Sequence, residues 1–317
     1  MPAKRIISAA LALLLVGTFA APSHTSAQNS NSAATHLFWT RAGQGTIARA
    51  KLDGTEQNLT LITEVAWGGF SVFGDYIYWN SGGAISKSTL SGATVTASFM
   101  AVNPMNMLAT DTYIYWTEGT KLGRANIDGT GQNPDFITGI DGADDIASDG
   151  TYLYWSEYGH SYIGRSKLDG TEVDHAFINS AMNSGGLTVT DSHIYWTNYD
   201  TGSIGRANID GTNKVQDFIV TGAYTNPYGL VSDGTYLYWV EYAHNVIGRA
   251  NLDGSNIQLE FISNAGVNSD YGLAVGVLED IPSTDRDSSA WSMALIVLAG
   301  LTAAASFTFR VRGAKRA

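Results

Sequence analysis

The chain of 317 residues contains no cysteine. This absence excludes a disulfide scaffold, a cysteine-ligated zinc site, an iron–sulfur cluster and thiol catalysis. Charged residues make up only 15%, and acids outnumber bases by 29 to 18, so a dedicated nucleic-acid binder, which needs a basic surface, is excluded as well. Glycine is abundant at 35 residues, and aromatic residues make up 11%. That composition, without long helix-forming runs, is typical of a folded all-β protein.

Both ends of the chain carry targeting patterns. Residues 1–27 combine two cations, an apolar run and a small-residue stretch, which predicts a cleaved secretory signal peptide. Residues 290–309 are uncharged and long enough for one transmembrane helix, and the basic residues 310–317 predict a cytoplasmic tail. The ends hold six of the 18 cations, so the region between them has 12 cations against 29 acids, a net charge of −17. We therefore expect an exported, acidic protein anchored at the cell surface by its C-terminus.

A polar stalk, residues 279–289, precedes the predicted membrane helix. It contains a segment that resembles a sortase signal of the Leu-Pro-x-Thr-Gly type, with Asp in place of the final Gly. The residues of this segment are Ile281, Pro282, Ser283, Thr284 and Asp285. Two interpretations stay open: attachment to the cell wall through the Thr, or a permanent membrane anchor.

One pattern recurs six times between residues 36 and 278, with a tryptophan about every 40 residues. The six copies are Phe38-Trp39-Thr40, Tyr78-Trp79-Asn80, Tyr115-Trp116-Thr117, Tyr154-Trp155-Ser156, Tyr195-Trp196-Thr197 and Tyr238-Trp239-Val240. Each copy belongs to a repeat with four short β-like pieces separated by turn signals such as Asp210-Gly211. Four antiparallel strands in each repeat of this length indicate a propeller blade. The sequence therefore predicts a six-bladed β-propeller over residues 36–278.

The ring should close through its two ends. A first strand precedes only five of the six tryptophans, and the missing copy, residues 271–275, follows the last repeat. We expect residues 272–275 to pair with residues 37–40, so that a C-terminal strand completes the blade begun at the N-terminus. This arrangement would cover the exposed strand edges.

These motifs resemble a known family. The Tyr-Trp-Thr-acid motif, the Ile-Gly-Arg-Ala-Asn-Leu-Asp-Gly-Thr strand pair and the Gly-Leu-Ala-Val strand are similar to the YWTD repeats of low-density-lipoprotein-receptor β-propellers, over residues 36–278. The chain lacks the cysteine-rich modules that flank the receptor propellers, and the acid of the motif is present only as Glu118, Glu157 and Glu241. The resemblance implies a recognition platform and names no ligand.

Residues that recur in every repeat are best explained by the scaffold. The tryptophans predict packing between blades. The basic residue of each third strand predicts repeated ion pairs with the motif acids, such as Glu157 with Arg165. The recurrent Asp of the Asp-Gly turns, as at Asp210, predicts a turn residue, because calcium loops need several acids close together.

Function should lie where the repeats differ, in loops that open on one face. Exposed tyrosine and tryptophan with polar neighbours are typical of binding surfaces. The predicted ligand-binding face consists of Trp67, Tyr158, His160, Tyr199, Asp200, Tyr228, Tyr242, His244 and Tyr271. The expected partner is a protein or a glycan, bound without catalysis and without a cofactor.

Two other functions stay open. His160 and His244 occupy matching places in two repeats, each three residues after an acid, and could hold a divalent metal or serve a propeller lyase or hydrolase as acid and base. The third function is that of a structural envelope protein with no specific ligand.

Overall fold

Antiparallel β-strands follow one another along the computed structural model, which describes residues 34–278 apart from 67, 159, 180, 182–183, 223–224 and 268–271. The predicted signal peptide (1–27), stalk and sorting motif (279–289), transmembrane helix (290–309) and tail (310–317) lie outside these residues. Within the described part, no helix is long and apolar enough to cross a membrane.

The described elements are 22 strands and two short 3-10 helices, Ala42–Gln44 and Tyr242–His244. The first eleven strands are β1 His36–Arg41, β2 Thr46–Lys51, β3 Asn58–Thr63, β4 Phe70–Phe73, β5 Tyr76–Asn80, β6 Ile85–Thr89, β7 Val95–Met100, β8 Met107–Ala109, β9 Tyr113–Asn126, β10 Asn133–Ser148 and β11 Tyr152–Glu157. The others are β12 Tyr162–Lys167, β13 Asp174–Ile178, β14 Ser184–Val189, β15 His193–Asn198, β16 Ser203–Asn208, β17 Val215–Val220, β18 Pro227–Ser232, β19 Tyr236–Glu241, β20 Val246–Asn251, β21 Gln258–Ile262 and β22 Leu273–Gly276.

The described strands form an all-β propeller with five blades, so the prediction of six blades is wrong. Four sheets have four strands each, in the orders β22-β1-β2-β3, β4-β5-β6-β7, β14-β15-β16-β17 and β18-β19-β20-β21. The third and fourth copies of the repeat share the remaining sheet, which has six strands in the order β13-β12-β11-β10-β9-β8.

The six-stranded sheet contains two long strands, β9 and β10, that each join pieces of the repeat which form separate strands elsewhere. Strand β9 runs through the stretch between Trp116 and Leu122, where the repeat pattern predicts a turn. The connection between the third and fourth repeats also joins the ladder, because Ala143 of β10 pairs with Gly119 on one side and with Glu157 on the other. Two predicted blades thus become one continuous sheet.

The predicted closure of the ring is confirmed. Strand β22 pairs antiparallel with β1 in the register Trp39 with Leu273 and Leu37 with Val275. The innermost strands also contact each other around the ring: β22 touches β4 and β18, β4 touches β8, and β10 touches β14, which touches β18. The first and last parts of the described chain therefore build one blade.

The repeat tryptophans are buried, as predicted, with at most 2% of each side chain exposed. The Tyr of one repeat packs in the same apolar cluster as the Trp of the next, for example Tyr195 with Trp239 and Tyr238 with Trp39. The Tyr-Trp pair therefore joins neighbouring repeats, because the Tyr ring packs against the following repeat and the Trp ring packs against the preceding one. Burial of such rings dominates core energetics.

The predicted ion pairs between motif acids and basic residues are wrong. Glu157 and Glu241 instead accept hydrogen bonds from the indole nitrogens of Trp155 and Trp239, at 3.0 and 2.7 Å. Arg165 lies over aromatic rings of its own repeat, 3.8 Å from the centre of Phe177, and Arg124, Arg206 and Arg249 follow the same pattern. The buried indole N–H groups of Trp155 and Trp239 thus each find a carboxylate acceptor.

The Asp of the Asp-Gly turns acts as the turn residue that the sequence predicts. Asp210 accepts hydrogen bonds from the backbone N–H and the hydroxyl of Thr212, and these two bonds hold the pKa of its carboxyl below the usual value. The same pattern recurs at Asp53, Asp128, Asp169 and Asp253.

Candidate functional site

One position of each repeat contributes to the face on which the predicted site loops open, which we call the loop face. This position lies two residues before the residue of the first strand that pairs with the repeat Trp, and we call it the rim position. The described rim residues are Gly68, Met105, Asp144, Gly185 and Tyr228. The sixth rim residue is the predicted site residue Tyr271, which, like Trp67, lies outside the described residues.

Four of these rim residues line a cavity of about 590 Å³ on the loop face. Loops between second and third strands and connections between repeats together supply its walls, as the sequence predicts for a binding face. The full lining is Ala66, Gly68, Asn80, Gly82, Asn103, Pro104, Met105, Gly142, Ala143, Asp144, Tyr158 and Tyr228. The volume is within the range of sites for small ligands.

A hydrogen bond across the fifth repeat builds the floor of this cavity. The Tyr228 hydroxyl donates to Oδ2 of Asp144 at 2.5 Å, although 84 positions separate the two residues in the chain. The Tyr228 ring reaches that far because it lies directly over Gly185, where a Cβ atom would be 2.6 Å from the ring. Gly185 of the fifth repeat therefore leaves the space that the hydrogen bond between the fourth and sixth repeats requires.

The Asp144 carboxyl is buried, with 8% of the residue exposed. Burial raises the pKa of this carboxyl to about 6, and the hydrogen bond from Tyr228 only partly opposes the rise. Among the described residues, only the Tyr228 hydroxyl donates a hydrogen bond to this carboxyl. Its Oδ1 atom remains available to a group that enters the cavity.

The neighbouring Asp145 has a structural role. Its carboxylate accepts hydrogen bonds from the Asn106 side chain at 2.5 Å and from the backbone N–H groups of Leu187 and Ile146 at 2.7 and 2.8 Å. Burial nevertheless raises the pKa of Asp145 to about 8, and the nearby Asp144 charge adds to the rise. Asp145 thus ties together three consecutive repeats beneath the cavity floor.

The predicted tyrosines of the binding face come close together. The Tyr199 ring meets the Tyr228 ring edge-on, with centroids 5.7 Å apart. Burial raises the pKa of the Tyr199 phenol, and the nearby Tyr242, Asp200 and Tyr158 add to the rise. Tyr158 and Tyr242 are exposed, at 57% and 42%. The structure therefore brings five predicted site residues to one region, and whether they bind a ligand stays a prediction.

The two predicted histidines are not part of this group. His160 stacks on Tyr162, and its Nδ1 atom lies 3.3 Å from an oxygen of Asp141 and 3.9 Å from one of Glu157. His244 is exposed at the end of a 3-10 helix. In the described residues, no contact joins the two histidines and no group of three or more His, Cys, Asp or Glu residues could hold a metal. The geometry therefore gives little support to the lyase or metal interpretation.

The sequence prediction of the site missed the cavity walls contributed by the second repeat. Asn80 holds this side in shape: its amide donates to the Pro104 carbonyl at 2.7 Å, and its Oδ1 accepts from the Gly82 N–H at 2.8 Å. A signal was present in the sequence, because Asn80 carries an amide where the other repeats have a hydroxyl or a hydrophobic side chain.

Sequence comparison identifies the repeat. The family "Low-density lipoprotein receptor repeat class B" matches residues 192–233, which contain β15, β16, β17 and β18. The chain is therefore a β-propeller that carries a YWTD-type repeat at residues 192–233. Among the curated proteins, no sequence matches this propeller.

Solved structures share the fold of this propeller at low sequence identity. A chain of the nidogen/laminin complex has 20% identity and a TM-score of 0.66, with 76% of this chain and 98% of that chain covered. A virginiamycin B lyase from Staphylococcus aureus has 18% identity and a TM-score of 0.53, with 79% and 88% covered. A streptogramin B lyase has 17% identity and a TM-score of 0.54, with 80% and 88% covered. At these identities, the likeness concerns the fold alone.

Proposed function

We propose that this propeller is a non-enzymatic recognition protein that binds a protein or a glycan on its loop face. The observation that carries the proposal is the cavity of about 590 Å³, with Asp144 at its floor and Tyr158 and Tyr228 in its walls. Rigid aromatic rings beside a few polar groups are typical of binding hot spots. The solved complex that contains nidogen and laminin gives the same fold a precedent in protein binding.

The tyrosines suit this role because the scaffold does not depend on them. Tyr158 and Tyr242 are exposed at 57% and 42%, whereas the Tyr and Trp of the repeat motif, such as Tyr195 and Trp196, are at most 3% exposed. The two sets of aromatic residues are thus separated by burial. Changes in the exposed set should alter binding and leave folding intact.

The first prediction concerns these tyrosines. Alanine at Tyr158, Tyr199 and Tyr242 together should reduce binding at least tenfold, because the anchoring rings are removed, while the melting temperature changes little. The measurement uses an array of purified proteins and glycans probed with the labelled full chain, followed by the affinity for each positive spot.

The matched control is Tyr76→Ala. Tyr76 is 41% exposed and lies at the far end of β5 from the cavity residue Asn80. The Tyr76→Ala variant should bind with the same affinity as the wild-type chain. Equal binding by the triple variant and the wild-type chain would refute the proposed face. Loss of binding on addition of EDTA would favour a metal site.

A further inference from the structure

We propose that the cavity on the loop face takes a primary ammonium group, presented by the lysine side chain of a partner protein, with Asp144 as its counter-ion. This inference rests on the proposed function and specifies its ligand. Three observations carry it: the charge of the lining, the free oxygen of the carboxyl and the apolar character of the walls.

The lining carries charge of one sign only. Asp144 is its single ionisable acid, and none of the described lining residues is Lys, Arg or His. Asp141 of β10 and Asp200 of the loop after β15 are exposed on the same face, and the region between the two chain ends carries 12 cations against 29 acids. A cationic ligand is therefore attracted to the face and meets no like charge in the cavity.

The carboxyl of Asp144 is prepared for a donor. One oxygen accepts the Tyr228 hydroxyl at 2.5 Å, which fixes the orientation of the group, and Oδ1 has no donor among the described residues. A carboxylate with 8% exposure and a single hydrogen bond is incompletely satisfied. An ammonium group, which has three N–H donors, supplies both the missing hydrogen bond and the opposite charge.

The walls favour an alkyl chain over a sugar. Of the two amide side chains in the lining, Asn103 is exposed, and Asn80 already uses its amide and its oxygen on Pro104 and Gly82. A sugar ring would leave many hydroxyl groups without partners. The four methylene groups of lysine can instead lie against Met105, Pro104 and the ring of Tyr158, with the charged end at the carboxyl.

The test measures binding of small probes to the full chain by isothermal titration and saturation-transfer NMR. The probes are Nα-acetyl-lysine methylamide, its norleucine counterpart, which has the same stem without the ammonium, and N-acetylglucosamine, a sugar without an ammonium. We expect the lysine probe to bind at least tenfold more tightly than the other two. Asp144→Asn keeps an acceptor for Tyr228 and removes the charge, so it should lower affinity for the lysine probe to the norleucine level.

The control is Asp111→Asn, which removes one charge from an exposed turn remote from the lining and should change nothing. Equal binding of the lysine and norleucine probes, an unchanged affinity in Asp144→Asn, or preference for N-acetylglucosamine would overturn the proposal. Such a result, together with loss of array binding in the triple tyrosine variant, would refute the lysine ligand and leave the recognition function standing.

Discussion

At the scale of single residues, Asp144 connects stability with the site. Its carboxyl is removed from water and receives one hydrogen bond, so its charged form is disfavoured and its pKa rises from 3.8 to about 6. Between pH 3.8 and about pH 6, the folded chain therefore binds more protons at Asp144 than the unfolded chain does. The contribution of Asp144 to the free energy of unfolding is fully present below about pH 4 and is lost as the pH rises through about 6.

This titration gives the prediction for Asp144→Asn. The wild-type chain should lose about 1 kcal/mol of unfolding free energy between pH 5 and pH 8 through this group, and the variant should lack that part of the dependence. Urea unfolding at the two pH values measures the difference. Asp111→Asn is the control and should keep the wild-type slope. An identical slope in Asp144→Asn would contradict the assigned burial.

At the scale of elements, the second and third strands of a repeat fit together through a missing side chain. Trp196 of β15 pairs with Gly205 of β16, and a Cβ atom on that glycine would lie 2.2 Å from Cε2 of the indole. Gly123, Gly164 and Gly248 have the same relation to their tryptophans. The glycine of the Ile-Gly-Arg motif is thus required by the flat indole ring above it.

Gly205→Ala should therefore destabilise the fold by about 1–3 kcal/mol, because the ring must leave its position in a packed core. The first repeat supplies the control, since Ala48 occupies the matching place opposite Trp39, whose indole donates to the Ala265 carbonyl instead of to its own strand. Ala48→Gly should cost less than Gly205→Ala in urea unfolding. Equal stability of Gly205→Ala and the wild-type chain would show that the indole adapts without cost.

Strand patterns alone predict these elements well. Alternating apolar residues around Trp196 and the turn residue Asp210 determine strands and a hairpin within one repeat. The merged sheet of β8 to β13 was not predicted, because it depends on pairing between Gly119 and Ala143 across two repeats. A local pattern contains no information about which edge comes within hydrogen-bonding distance.

At the scale of the whole molecule, closure depends on β22. Its residues pair with β1, and the Ala265 carbonyl just upstream accepts hydrogen bonds from the Trp39 indole at 2.8 Å and from Arg41 at 3.1 Å. Val275 packs with Trp39 and Val231 in one apolar cluster. Removal of this strand would leave the first blade with an unpaired edge and an exposed core.

A chain that ends at Asn264 should accordingly aggregate or show a severely lowered melting temperature. A chain that ends at Leu278 retains β22 and serves as the control, with a melting temperature close to that of the full chain. Calorimetry together with size-exclusion chromatography makes the comparison. If the chain that ends at Asn264 were monomeric and as stable as the control, the ring would not need this strand.

The amino-acid sequence by itself determined the all-β class, the burial of the repeat tryptophans, the Asp-Gly turns and the closure by β22. These features follow from periodic patterns and from counting copies. Only the tertiary structure decided the number of blades, the indole partners of Glu157 and Glu241, and the bond from Tyr228 to Asp144. The merged sheet and the bond from Tyr228 to Asp144 depend on distances between different repeats, where a single residue such as Gly185 changes which groups meet.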